Sequence, residues 1–178
     1  MMIEEVSHSE IVPPDWRVTH TLKPDLRLVS DSALKYGWLT PLVVNQDGLI
    51  IDGFHRWWLS HNYRPIERAL KGILPIRRVE ADDVEARILH VQLNRGRGGI
   101  VPKYLSALVL DILESGQMSD EDLKKALRMG VDEFELLCDG NLLKAKNIKE
   151  YEYSPAWVPV DGLSSEKVEL ERPPNADR

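Results

Sequence analysis

The residues richest in chemistry lie in one run, Leu49-Ile50-Ile51-Asp52-Gly53-Phe54-His55-Arg56-Trp57. Three apolar residues read as a buried strand, Asp52-Gly53 breaks it, and a helix is predicted to open at once. The first turn of a helix offers unpaired backbone N–H groups and the positive end of the helix dipole, which together favour an anion. Gly53 lets backbone approach a phosphate closely. His55 and Arg56 add side-chain donors at the same place, and arginine suits bidentate phosphate contact. The alternative is an ordinary Asp-Gly turn, with Arg56 laid over Trp57 or Trp58. A second stretch, Asn94-Arg95-Gly96-Arg97, follows a predicted helix. Asn94 can ligate a hydrated Mg²⁺ that rests on phosphates, and Arg95 and Arg97, flanked by glycine, can reach a triphosphate. Alone, this stretch reads better as a helix C-terminus with solvated arginines favoured by the dipole. Together, the two stretches load a helix start and a helix end with phosphate-type donors.

Charge agrees with an anion site in mid-chain. The 178 residues carry a formal net charge of -6, and a general nucleic-acid binder is usually basic. From Gly53 to Lys103, however, ten basic residues stand against five acids, a net of +5. Acids dominate from Tyr104 onward.

The elements that must position these residues follow from pattern. Residues 1–14 read as a loose lead-in ending at Pro13-Pro14, and Arg17 to Thr21 as a short strand. Asp25 to Tyr36 reads as a helix with Leu26, Val29, Ala33 and Leu34 at helical spacing, stopped by Gly37. Leu42-Val43-Val44 and Leu49-Ile50-Ile51 flank Asn45-Gln46-Asp47-Gly48 as a hairpin. A helix is predicted from about His55 to Asn62 and a strand from Ile73 to Val79. Asp82 to Leu93 is predicted helical, with Asp82 and Glu85 as a capping box. Pro102 suits the first turn of a helix running to Glu114. Ser119-Asp120-Glu121-Asp122 caps a helix to Arg128, Val131 to Cys138 forms the next, and Asn141 to Ile148 a third. The alternation of helix and strand, followed by helices alone, predicts a small α/β (α+β) domain over 15–100, a helical appendage over 101–149 and an extended tail over 150–178. Tyr151 to Pro159, aromatic and proline-rich, is expected to pack back along the domain.

Composition excludes several classes. With 43% hydrophobic and 29% charged residues the chain has the make-up of a soluble globular protein. Its apolar runs are too short for a transmembrane helix, so no membrane partner is expected. The acidic start, Met1-Met2-Ile3-Glu4-Glu5, has no secretory pattern. The single cysteine, Cys138, makes no internal disulfide and no cysteine-rich zinc site. A cytoplasmic location is expected.

Gly37-Trp38-Leu39-Thr40-Pro41-Leu42-Val43-Val44, then Ile51-Asp52-Gly53-Phe54-His55-Arg56, then Leu93-Asn94-Arg95-Gly96-Arg97 resemble, in order and spacing, the N-terminal domain of the ParB/sulfiredoxin superfamily. The likeness covers about residues 17–100. It implies a small mixed-sheet domain followed by a helical, helix-turn-helix-like part. In ParB-type clamps a G-E-R-R and an E-N-x-x-R motif bind CTP and Mg²⁺. Gly53, Arg56, Asn94 and Arg97 keep those patterns, while Phe54, His55 and Leu93 depart from them. Sulfiredoxins carry G-G-C-H-R; Phe54 occupies the position of the nucleophilic cysteine, so that activity is excluded. Free-serine kinases of the superfamily carry D-G-H-H-R with an upstream glutamate as base. Asp52 to Arg56 is close to this, and Asp25 lies one residue from the expected base position, which Leu26 holds.

The helical part has a helix-turn-helix look, but its second helix offers Asp132, Glu133 and Glu135 where a groove reader needs basic or amide side chains. A structural helix pair or protein-contact surface is the better reading; Lys144, Lys146 and Lys149 keep DNA open.

The expected function is binding of a nucleoside triphosphate, CTP or ATP, with Mg²⁺ in a regulatory or DNA-associated role. Gly53, His55, Arg56, Asn94, Arg95 and Arg97 would hold the phosphates, and Asn94 would also serve the metal. The alternatives are a small-molecule kinase with Asp52 or Asp25 as the catalytic carboxylate, and a DNA-binding adaptor. DNA, a protein partner and a homodimer are open as partners.

Overall fold

The computed structural model describes residues 2–19 and 21–139. The predicted helix over 141–148, the lysines beyond 140, the packing of Tyr151 to Pro159 and the rest of the tail lie outside the described residues. Four strands, β1 (Glu4–Ser7), β2 (Leu42–Val44), β3 (Ile50–Asp52) and β4 (Ile73–Arg78), form one sheet in the order β1-β4-β2-β3. β1 pairs antiparallel with β4, β4 parallel with β2, and β2 antiparallel with β3. The β2–β3 turn is held by Asn45, whose Oδ1 accepts from the Asp47 and Leu49 N–H groups at 3.0 and 2.9 Å, the local bonding that makes asparagine a turn former.

Seven α-helices are seen among the described residues: α1 (Lys23–Tyr36), α2 (Phe54–Asn62), α3 (Arg64–Leu70), α4 (Asp83–Arg95), α5 (Pro102–Glu114), α6 (Asp120–Leu127) and α7 (Val131–Cys138). The α4 capping box is present in both directions, with Asp82 Oδ1 accepting from the Glu85 N–H at 2.8 Å and Glu85 returning the contact to the Asp82 N–H at 3.1 Å. Ser119 caps α6 as expected.

The sheet separates two apolar cores. Leu42, Val44, Ile50, Leu74 and Ile76 join α1, α2 and α3 around Leu26, Trp58, Leu59 and Ile66. Ile51, one residue after Ile50, turns to the other side and packs with Val84, Val91, Leu108, Ile112, Leu123 and Phe134 of the later helices. Strand alternation thus makes β3 a wall shared by both cores, and the residue that ends it, Asp52, emerges where they meet.

Four details depart from the pattern reading. Residues 4–7 are an edge strand and residues 8–10 a 3₁₀ turn, not a loose lead-in. Among the described residues of the expected Arg17–Thr21 strand no strand forms, and Thr19 makes an isolated bridge to Ile100. The helix α3 is additional. On α1, Leu34 is exposed and Ser30 is buried in its place, because the buried face runs through Leu26, Ser30 and Ala33.

Candidate functional site

β3 delivers Asp52 to the end of the sheet, and α2 begins two residues later. The reversal is made by Gly53, at φ +97°, a conformation that L side chains avoid. The Gly53 carbonyl accepts from the N–H groups of Arg56 and Trp57 at 3.0 and 3.2 Å. No side chain caps the α2 N-terminus, which leaves the Phe54 and His55 amides of its first turn without a side-chain acceptor, as an anion site requires.

Arg56 folds back over this junction. Its Nη1 donates to the Thr40 carbonyl, to Thr40 Oγ1 at 2.7 Å and to the Pro41 carbonyl at 2.9 Å. Its Nη2 lies 3.6 Å from Asp52 Oδ2, a long contact. A side chain on Gly53 would meet Nη2 at 2.7 Å and Leu42 Cγ at 2.8 Å. The guanidinium therefore occupies the space that the missing Cβ leaves. Burial lowers the Arg56 pKa from its ordinary value, with Asp52 opposing the shift.

From the opposite side comes the end of α4. Arg97 Nη1 donates to both Asp52 oxygens, at 3.0 Å each, and the Arg97 side chain is 59% exposed. Asn94 is buried, and its Nδ2 donates to the His90 carbonyl at 2.8 Å. One turn back on the same helix face, His90 spans two backbone groups. Its Nε2 accepts from the Val18 N–H at 3.3 Å, and its Nδ1 donates to the Ile51 carbonyl at 2.6 Å. The backbone donor and acceptor fix a neutral, Nδ1-protonated ring, in line with the lowering of its pKa by burial.

These groups line one cavity of about 650 Å³ that also takes in Arg17, Thr21, Trp38, Leu39, Phe54 and His55. Arg17 lies over the Phe54 ring, 3.8 Å from its centroid; burial lowers its pKa to about 10, so it remains a cation at neutral pH. His55 Nδ1 is 3.1 Å from Thr21 Oγ1. Burial, reinforced by Arg17 and then Arg56, pushes the His55 pKa down to about 4, against an opposing pull from Asp52. His55 is thus a neutral hydrogen-bonding group at pH 7, not a charge.

A pH dependence follows with definite sign. A histidine whose folded pKa lies below its unfolded value binds fewer protons when folded, so stability rises with pH between the two values. Its contribution is present above pH 6.5 and is lost as the pH falls towards 4. The protein is expected to be about 2 kcal/mol less stable at pH 5 than at pH 7 through His55 alone. Urea unfolding at the two pH values checks this, and His55→Gln should reduce the difference by about 2 kcal/mol, the part owed to His90 remaining.

Gly53, His55, Arg56, Asn94 and Arg97 therefore converge with Asp52, while two expected site residues stand elsewhere. Arg95 points away from the cavity; its Nη2 donates to both Glu133 oxygens at 2.8 and 2.7 Å and clasps α7. Asp25 is exposed on α1 and is absent from the cavity wall. Arg17, Thr40 and His90 were not singled out from sequence. Only His90 had a local signal, its i,i+4 spacing to Asn94. Cys138 is half-buried on α7, and burial raises its thiol pKa, the behaviour of a packing residue.

Among the described residues no group of three or more His, Cys, Asp or Glu side chains could hold a metal. Asn94 lines the cavity, and a single amide oxygen suits a cation carried mainly by phosphate oxygens and water. No helix among the described residues is long and apolar enough to cross a membrane.

No protein-family model matches the chain. The uncharacterized protein YbdM of Escherichia coli strain K12 is 28% identical over 157 residues, covering 86% of this chain and 74% of YbdM. Among solved structures, the C2221 form of a Pnob8-like ParB-N domain has a TM-score of 0.57 at 14% identity, over 84% of this chain and 75% of that one. The C-terminally truncated chromosome-partitioning protein ParB from Caulobacter crescentus, complexed with CTP-γ-S, has a TM-score of 0.45 at 19% identity, over 81% and 79% of the two chains. The mixed four-stranded sheet with its surrounding helices is a ParB N-domain-like fold.

Proposed function

We propose that this protein binds a nucleoside triphosphate with Mg²⁺ at the β3–α2 junction, in a regulatory or DNA-associated role. The observation that carries the reading is the convergence on one cavity of an uncapped helix N-terminus, Gly53, Arg56, Asn94 and Arg97. The cavity volume falls within the range of roughly 300–1,000 Å³ common for small-molecule sites. Charge supports the reading as well. Arg17, Arg56 and Arg97 stand against Asp52 among the described wall residues, and both histidines are neutral, leaving an excess of about two positive charges. A triphosphate carrying one Mg²⁺ brings about two negative charges, so the complex would be close to balanced. Asn94 would complete the metal's shell through its amide oxygen. The Mg²⁺ would screen the phosphate oxygens from one another, and Arg56 and Arg97 would orient them.

Phosphotransfer is the weaker reading because Asp52, its carboxylate, is committed. Both oxygens accept from Arg97, whereas a general base needs an oxygen within reach of the acceptor's proton.

Calorimetry with CTP, ATP and ADP, each with Mg²⁺, tests the proposal. Binding is expected for a triphosphate, and Arg97→Ala should weaken it about tenfold, the scale of one exposed charge-assisted contact. No binding by any nucleotide would sink the reading. Phosphate transfer to a metabolite that Asp52→Asn abolishes, with nucleotide binding kept, would replace it with the kinase. The DNA-associated part is tested with duplex DNA across a salt series; absence of binding at low salt removes it.

A further inference from the structure

We propose that Arg17, carried on the face of Phe54, is a third phosphate-contacting cation of the cavity; the proposal rests on the nucleotide reading above. Phe54 is the residue of the central motif for which phosphate binding alone gives no reason. It is 7% exposed and packs at 5.4 Å centroid distance on Trp57. One face of its ring is taken by Arg17. A guanidinium stacked on an aromatic face gains from the ring quadrupole while its donors stay at its edge. Phe54 thus serves as a platform that fixes the direction of a charge.

Arg17 itself is placed by its neighbours in sequence. Trp16 is buried and meets the His90 ring edge-on at 5.3 Å. Val18 has no exposed surface; its N–H donates to His90 Nε2 and its carbonyl accepts from the Val101 N–H at 2.7 Å. With the residues on both sides pinned, the backbone of Arg17 is fixed beside the cavity although it lies in no strand. Three cations then approach from three separate elements: Arg56 from α2, Arg97 from the loop after α4, and Arg17 from the segment before α1. Its field reaches the other wall groups, since Arg17 contributes to lowering the pKa of both His55 and His90. A polyphosphate has oxygens on several sides, and a three-sided arrangement matches it where one face would not.

The test is calorimetry with Mg²⁺-CTP, Mg²⁺-ATP and inorganic tripolyphosphate on wild type, Arg17→Gln, Arg17→Lys, Phe54→Leu and Arg17→Gln/Phe54→Leu. Arg17→Gln is expected to weaken binding of the preferred triphosphate and of tripolyphosphate by about 10- to 30-fold. Arg17→Lys should recover part of this loss, and Phe54→Leu should weaken binding by about threefold to tenfold through the lost platform. The double variant should bind within about twofold of Arg17→Gln, because Phe54 acts only through Arg17. Urea midpoints of Arg17→Gln and Arg17→Lys establish that the variants are folded. Arg17→Gln binding like wild type, while Arg56→Ala does not bind, would overturn this inference and leave the nucleotide reading standing. A loss seen with nucleotides but not with tripolyphosphate would overturn it too. Failure of wild type to bind any of the three ligands would remove both.

Discussion

Replacing Gly53 by alanine is expected to destabilise the protein by about 2–4 kcal/mol and to abolish ligand binding. Two costs add. The residue sits at φ +97°, where a Cβ is strained by about 1–2 kcal/mol. The new methyl would also stand 2.7 Å from Arg56 Nη2 and 2.8 Å from Leu42 Cγ. Leu42 is fully buried in the core, so it cannot yield cheaply, and Arg56 would have to leave the junction. Gly116→Ala supplies the control. Gly116 also has positive φ, +67°, but nothing lies within 4 Å of its added Cβ, so strain of about 1 kcal/mol should be the whole effect. Urea denaturation of both variants measures the difference. Equal costs would show that close packing at Gly53 contributes nothing.

The second large effect is expected at Arg56. Arg56→Ala should weaken triphosphate binding at least about 100-fold, removing a charge-assisted donor and its positive charge from a partly buried position. It should also lower stability by about 1–2 kcal/mol, since the Thr40 hydroxyl and two loop carbonyls lose their donor. Arg56→Lys separates the two roles. An ammonium can still satisfy the Thr40–Pro41 loop, but it lacks the second nitrogen now 3.6 Å from Asp52. That nitrogen is the one a phosphate oxygen would take over from the carboxylate. Arg56→Lys should therefore recover most of the stability and little of the affinity. Wild-type affinity in Arg56→Lys would show that Arg56 only ties the loop to α2.

The parts of the fold legible in the sequence are those set by residues close together in the chain. The Asp82–Glu85 capping box, the Asn45 turn and the break at Asp52-Gly53 each rest on contacts within four residues, and each is found. The edge strand β1 was hidden because Glu4 and Glu5 interrupt any apolar pattern; only its partner β4 makes it a strand. Helix α3 was hidden by its brevity and by Pro65, which reads as a break although it serves in the first turn. The candidate site divides in the same way. The central run announces an anion site because strand, glycine and helix start are contiguous. Arg95 and Arg97 are chemically alike and two residues apart, yet one meets Glu133 and the other Asp52. Nothing local separates them. Arg17 was invisible for a related reason: its position is set by His90 and Val101, which the chain supplies much later.

The pairing of Glu4 with Ile76 in the first strand's ladder also bears on the order of events when the chain folds. About seventy residues separate these partners, and closing so long a loop carries an entropic cost that local contacts do not. The hairpin of β2 and β3 can form from a short stretch, and β4 can join it in parallel once α2 and α3 bring the chain back. Strand β1, although it is synthesised before β4, has no edge to pair with until β4 is in place. It therefore docks late, and its pairing contributes to the slow, long-range part of the folding barrier.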